Sequence, residues 1–389
     1  STSISFGSAV VFKTARCDYI GITFDSASSK IVITYQDWGN SYYGTAIVGT
    51  VSGTGISFGT AVAFEAATTS YTSPTFDSST GKVVIAYRDG GNSNYGTAIV
   101  GTVSGTGISF GTAVVFEAAT TFYQVATFDS NANKVVIAYL DYGNSSYGTA
   151  IAGTVSGTSI TFESPSVFET AAVEMTVVTF DSSASKVVVA YTDAGNSNRG
   201  TAATFTPSST STNLTAENFI GFAGGAVDVD SQTEEIGSSV VFNNTGNTTK
   251  PHLCFDTNSN KVVIGFVDNT VSEKGTAIVG TVSGTSISFG SETVYETSVT
   301  DFPAMVYDSS NNKVIVAYQD EGNTDYGTVA VGTVSGTSIS FGTPVVFESA
   351  AVQHVALAFD SNSNKVVVSY SDHGNSEHGT AIVGTVSGT

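Results

Sequence analysis

Apolar residues crowd most densely between positions 82 and 88. There Val83, Ile85 and Tyr87 alternate with Val84 and Ala86. Successive side chains of a strand point to opposite faces, so both faces of this segment are apolar. A strand of that kind is covered on two sides. Three other β-rich runs surround it, at 71–76, 97–103 and 108–116. They are separated by Asp77-Ser-Ser-Thr-Gly81, Asp89-Gly-Gly-Asn-Ser93 and Ser104-Gly-Thr-Gly107. Asp and Ser bond their own backbone two residues on, which makes the first a turn. In the second, Gly and Asn are expected to supply the positive φ of a hairpin tip. The segment reads as four antiparallel strands with no helical periodicity.

The pattern recurs. Its aromatic pivot stands at Tyr35, Tyr87, Tyr139, Tyr191, Phe266, Tyr318 and Tyr370, at separations of 52, 52, 52, 75, 52 and 52 residues. One supersecondary unit is therefore used seven times. A four-stranded unit apolar on both faces buries itself only between neighbours, and radial stacking achieves that. The chain ends in Gly-Thr-Val-Ser-Gly388-Thr389 and begins Ser1-Thr-Ser-Ile-Ser-Phe-Gly7, whereas the same pieces are continuous around Val334 and Gly342. The prediction is an all-β, seven-bladed β-propeller with four strands per blade. Its N-terminal strand completes the last blade and removes a free sheet edge. Residues 1–389 form one domain on this reading, with an insertion at 206–235 between the third and fourth strands of the fourth blade.

Thirteen basic and 33 acidic side chains give a net charge of -20. A duplex-binding surface needs Lys and Arg against phosphate, so nucleic acid is excluded as a partner. No apolar run approaches the length that crosses a bilayer, and membrane insertion is not expected. The chain opens on Ser1, as a processed chain or a piece of a longer one would. Cys17 and Cys254 lie in different repeats and are expected to be free thiols.

Candidate chemistry comes from comparing the seven copies. The Asp-Ser turn and the Val-Ser-Gly-Thr connection barely change, and an up-and-down blade puts both on one end. At the opposite end the copies diverge. Five residues before each Phe-Asp (or Tyr-Asp) pair stand Tyr19, Tyr71, Tyr123, Met175, Lys250, Phe302 and His354. Just before these come Asp18, Glu174 and Asp301 in the first, fourth and sixth repeats. The hairpin tips add Trp38, Tyr43, Tyr95, Tyr142, Arg199 and His373. One uniform end and one varied, aromatic-rich end describe a scaffold that presents a recognition surface. Rings with polar edges suit a glycan or a protein receptor.

Two further readings are open. Asp37, Asp89, Asp141, Asp193, Asp320 and Asp372 repeat beside Gly and Asn, and oxygen ligands of that kind are what calcium takes. Each tip brings one carboxylate and also suits a tight turn, so no cofactor is expected, with calcium the only candidate. Asp18, Glu174 and Asp301 occupy equivalent positions and would offer three acids to a common mouth, as glycoside hydrolysis requires. Arg16 is the one Arg expected near it to clamp a substrate.

The units Lys-Val-Val-x-Ala-Tyr-x-Asp-x-Gly-Asn-Ser and Gly-Thr-Ala-Ile-Val-Gly-Thr-Val-Ser-Gly-Thr resemble repeats of virion structural proteins of marine phages. Within the insertion, Asn213-Leu-Thr-Ala-Glu-Asn-Phe-Ile-Gly221 is similar to a module of tail-fibre-like chains. The resemblance implies display on a virion or cell surface. The expected function is a non-enzymatic adhesion propeller that contacts a receptor through its varied end. The alternatives are a decoration protein that docks neighbouring virion subunits through 206–235, and a secreted glycoside hydrolase.

Overall fold

The computed structural model describes residues 2–208, 234–244 and 246–387. Its elements are antiparallel strands; helix appears among the described residues only as single 3-10 turns such as Trp38–Asn40 and Tyr142–Asn144. In the second repeat, Lys82–Asp89 pairs with the C-terminal half of Val62–Asp77 on one side and with Tyr95–Ser104 on the other. Tyr95–Ser104 then pairs with Gly107–Phe110 and with the start of Val114–Asp129. The innermost pairing recurs as Cys17↔Asp37, Thr69↔Asp89, Thr121↔Asp141, Val173↔Asp193, Thr248↔Asp268, Thr300↔Asp320 and Val352↔Asp372.

The strand boundaries differ from those read in the sequence. The outer run of one repeat and the inner run of the next form one 16-residue strand, Val114–Asp129 among them, except between the fourth and fifth repeats, where Val240–Val241 and Thr248–Asp256 are separate. Its first half belongs to one sheet and its second half to the next. Register shifts between Val115 and Glu117, and between Glu117 and Thr120, bend it across the gap. A bulge adds twist without ending the strand, which is why no breaker residue marks the change of sheet.

Both ends of the chain meet. Ser3–Phe6 pairs with His378–Ser387 from Ser3↔Ser387 to Phe6↔Gly384, and Val10–Asp25 continues along the same strand from Val10↔Ala381 to Arg16↔His378. In the fourth repeat, Thr206 pairs with Glu235 and Phe205 with Ile236. The predicted insertion leaves and re-enters the sheet at those positions, and its body, 209–233, lies outside the described residues.

The two apolar faces of the second strand go to different neighbours. Val83, Ile85 and Tyr87 pack with Val32, Ala46 and Val48 of the preceding repeat. Val84 and Ala86 pack with Val135, Ile137 and Tyr139 of the following one. Each buried aliphatic side chain contributes about 1.5–3 kcal/mol, so the interfaces between repeats dominate stability. The pivots Tyr35, Tyr87, Tyr139, Tyr191, Phe266, Tyr318 and Tyr370 are all fully buried. Five of their hydroxyls donate to a Glu in the outer strand: Tyr87 to Glu65, Tyr139 to Glu117, Tyr191 to Glu169, Tyr318 to Glu296 and Tyr370 to Glu348, at 2.9–3.1 Å. In the first repeat Lys13 replaces the Glu and turns to Asp37 instead, at 2.6 Å. The Tyr35 hydroxyl is left without a protein partner.

The Asp-Ser turns are as the sequence predicts, with Asp77 Oδ1 accepting from the amides of Ser79 and Thr80. The hairpin tips are not. Positive φ falls on Ser93 and Asn94 (56° and 62°), and on the matching pairs elsewhere, rather than on the Gly and Asn before them. The tip glycine is required for space: a Cβ on Gly91 would lie 2.5 Å from that of Ala67.

Candidate functional site

In every repeat the innermost pairing slips by one residue. Between Ser70 and Ser73 the strand advances three positions while its partner advances two, from Arg88 to Ala86. The slip is a β-bulge, and the varied residue sits in it. Tyr19, Tyr71, Tyr123, Met175, Lys250, Phe302 and His354 all adopt φ between 45° and 52°. The left-handed region costs a residue with a Cβ about 1–2 kcal/mol. Glycine would avoid that cost, yet none of the seven is glycine.

The bulges aim all seven side chains into one cavity of about 620 Å³. Its lining also includes Thr72, Gln124, Pro251, Asp301 and Met305. Neighbours around the cavity touch in sequence. Ring centroids lie 4.8 Å apart for Tyr19–Tyr71, 5.3 Å for Tyr71–Tyr123, 5.6 Å for Tyr19–His354 and 5.3 Å for His354–Phe302. The remaining arc is not aromatic. The Lys250 amide donates to Met175 Sδ at 3.0 Å, and its Nζ stands 2.6 Å from Asp301 Oδ1. Side chains of one repeat also fix the bulge of another: Thr72 Oγ1 donates to the Tyr19 carbonyl at 2.7 Å, and Thr176 Oγ1 donates to that of Tyr123. Burial, with the neighbouring tyrosines, pushes the Tyr71 hydroxyl up to about 12, so the ring is neutral across the physiological range.

Asp18 is a hub rather than a cavity wall. It accepts from Arg16 Nε at 3.0 Å and from Trp38 Nε1 at 2.9 Å, and its Oδ1 lies 3.4 Å from His354 Nε2. Burial alone would raise its pKa. The hydrogen bonds from His354 and Arg16 outweigh that and hold it down at about 2. Arg16 also covers the Trp38 ring at 4.0 Å and reaches Glu377 at 3.2 Å, which in turn lies 3.8 Å from His373. A second arginine, unexpected from sequence, serves the neighbouring second and third repeats. Arg88 lies over Tyr71 at 5.0 Å and Phe122 at 4.8 Å, and donates to Ser70 Oγ at 3.2 Å. The signal was its position on the strand paired with the bulge, opposite Ser70.

Of the three acids only Asp301 belongs to the cavity lining, and it is paired with Lys250; Asp18 is held from behind, and Glu174 is exposed outside the lining. Among the tip residues, Trp38 and Tyr142 are exposed, at 40% and 64%. Tyr43, Tyr95 and Arg199 instead begin the third strands, half-buried opposite Asp37, Asp89 and Asp193. Of the repeated tip aspartates, Asp37 pairs with Lys13, whereas Asp89 and Asp141 bond their own turns. Asp89 Oδ1 accepts from the Gly91 amide at 2.9 Å and Asp141 Oδ1 from that of Asn144 at 3.1 Å. Among the described residues no three His, Cys, Asp or Glu side chains gather as a metal site would require.

No protein-family profile and no curated protein matches the sequence. Solved structures do match. The BP39L lectin from Burkholderia pseudomallei superposes with a TM-score of 0.62 at 12% identity, covering 96% of this chain and 97% of the lectin. A chain of the mitotic checkpoint complex gives 0.56 at 8% identity, with coverage of 97% and 94%. The fold is propeller-like. At such identities the likeness extends to architecture alone, and the bulge residues belong to this chain.

Proposed function

We propose that the chain is a closed seven-bladed propeller that binds a glycan without turning it over, as a receptor-contacting protein on a virion or cell surface. The closed ring is supported by the Tyr19–His354 contact between first and seventh repeats, and by the pairing of both N-terminal segments with the last strand. One observation carries the binding reading. Seven equivalent left-handed positions, where glycine would be cheapest, hold seven large and mostly unlike side chains that converge on one cavity. A bulge kept only for the backbone has no need of them. Carbohydrate is the favoured class because tyrosine rings offer an apolar face to a sugar ring and a hydroxyl to its rim. The likeness to a lectin supports the same choice.

A glycan array followed by calorimetry tests this. The wild type is expected to bind a glycan saturably and release no hydrolysis product. Tyr71→Ala should weaken binding about tenfold, the value of one lost aromatic contact, with an unchanged circular dichroism spectrum. A wild type that binds no glycan overturns the reading. So does hydrolysis that disappears in Glu174→Gln.

A further inference from the structure

Resting on that reading, we propose that the ligand is a neutral chain of several linked sugars, laid from the rim of the third repeat into the cavity along a continuous line of rings. The line starts at Tyr142, the most exposed large apolar residue among those described, at 64%. From its hairpin tip the ring lies 6.0 Å from Phe122. Phe122 lies 6.1 Å from Tyr71 and 6.3 Å from Tyr123, and Tyr71 leads on to Tyr19 at 4.8 Å. The inner end of the line is thus the aromatic arc of the cavity wall, and the outer end stands in solvent.

Among the described residues no other repeat has such a line. Where the third has Phe122, the others have Asp18, Ser70, Glu174, Thr249, Asp301 and Gln353. Where it has Tyr142, they have Trp38, Gly90, Ala194, Asn269, Glu321 and His373. Trp38 is the one comparable ring, but its ring contact is with Tyr42 and its Nε1 donates to Asp18, so no ring links it to the cavity wall. Along the third-repeat line Arg88 sits over Tyr71 and Phe122, held by Ser70, so those two rings are fixed rather than free to turn. A ligand the size of one sugar would use the cavity alone and leave Phe122 and Tyr142 without purpose. A chain uses every ring, because its alternating apolar faces stack on successive aromatic side chains. The charge of -20 repels a polyanion, and Glu174 beside Tyr123 and Glu321 beside Asp325 outweigh Lys250, which is already paired with Asp301, so a neutral chain is selected.

Affinity is measured for cello-, laminari- and malto-oligosaccharides from mono- to hexasaccharide, with wild type, Tyr142→Ala and Tyr142→Phe. In at least one series affinity should climb with length. Tyr142→Ala should lose about tenfold on the hexasaccharide and nothing on the disaccharide, and Tyr142→Phe should restore the loss. Binding that is independent of length, or insensitive to Tyr142, overturns the chain ligand while leaving a lectin in place. A wild type that binds none of these neutral series but does bind oligogalacturonates, measured alongside, overturns the neutral class. Failure to bind any saccharide overturns both this inference and the glycan reading beneath it.

Discussion

Asp18 shows how one residue sets the acid limit of the site. Its ordinary pKa is 3.8, and His354 and Arg16 hold it at about 2 in the fold, against the opposing effect of burial. A depressed carboxyl stabilises the fold fully above its unfolded value, and the contribution fades as pH falls from about 4 towards 2. The shift corresponds to about 2 kcal/mol at most. Urea midpoints measured between pH 4 and pH 2 should therefore fall less steeply for Asp18→Asn than for the wild type. Parallel slopes would remove Asp18 from the acid response. His252 is a second case of local accommodation. It is buried, bonds the Lys250 carbonyl at 3.0 Å, and occupies the space left by Gly265, where a Cβ would lie 2.2 Å from its Nε2. Desolvation drives its pKa down to about 4, so it is neutral in the fold. The pair could be read only with both strands aligned, since Gly265 in the sequence resembles any other strand glycine.

At the scale of the element, the bulge holds the information. Its seven residues were legible from the sequence because 52-residue spacing lines them up, and Tyr, Met, Lys, Phe and His have little else in common. Their left-handed backbone was not legible, since none is a residue that announces positive φ. At Lys250 the two contributions separate. Its ion pair with Asp301 is 36% exposed on the Lys side and contributes about 0–1 kcal/mol. The backbone term is comparable and of opposite sign. Lys250→Gly should then be more stable than Lys250→Ala by about 1 kcal/mol, as read by chemical denaturation. Equal stabilities would mean that the bulge carries no strain. The tips were legible as turns, but not their residue assignment: Gly was read as the source of positive φ, whereas contact with Ala67 demands Gly91 and Ser93 takes the left-handed turn.

For the whole molecule, the repeat made antiparallel sheets between neighbours predictable, and both faces of residues 82–88 pack as that pattern requires. What stayed hidden was the sharing of strands, because the chain bends at bulges rather than at Gly or Pro. The N-terminal segment gives this scale its test. Ile4 is buried at 3% exposure, packed with Val366, Val368 and Tyr370. Removing residues 1–7 deletes that packing and leaves Gly384–Ser387 an unpaired edge. The melting temperature should drop by several degrees and light scattering should show association. A monomer with wild-type melting would mean that the first strand is dispensable.

The 16-residue strands carry a consequence for how such a chain changes length over time. A stretch of 52 residues cut at its turns never coincides with one sheet but takes part of two; only a cut inside the shared strands, as at 69–120, isolates a single sheet. Unequal exchange between copies would therefore splice a newcomer to both flanks by unbroken backbone, with each half-strand meeting a partner of the expected register. Growth or loss of a unit leaves no seam, and the number of copies becomes a quantity that recombination can alter without first inventing a joint.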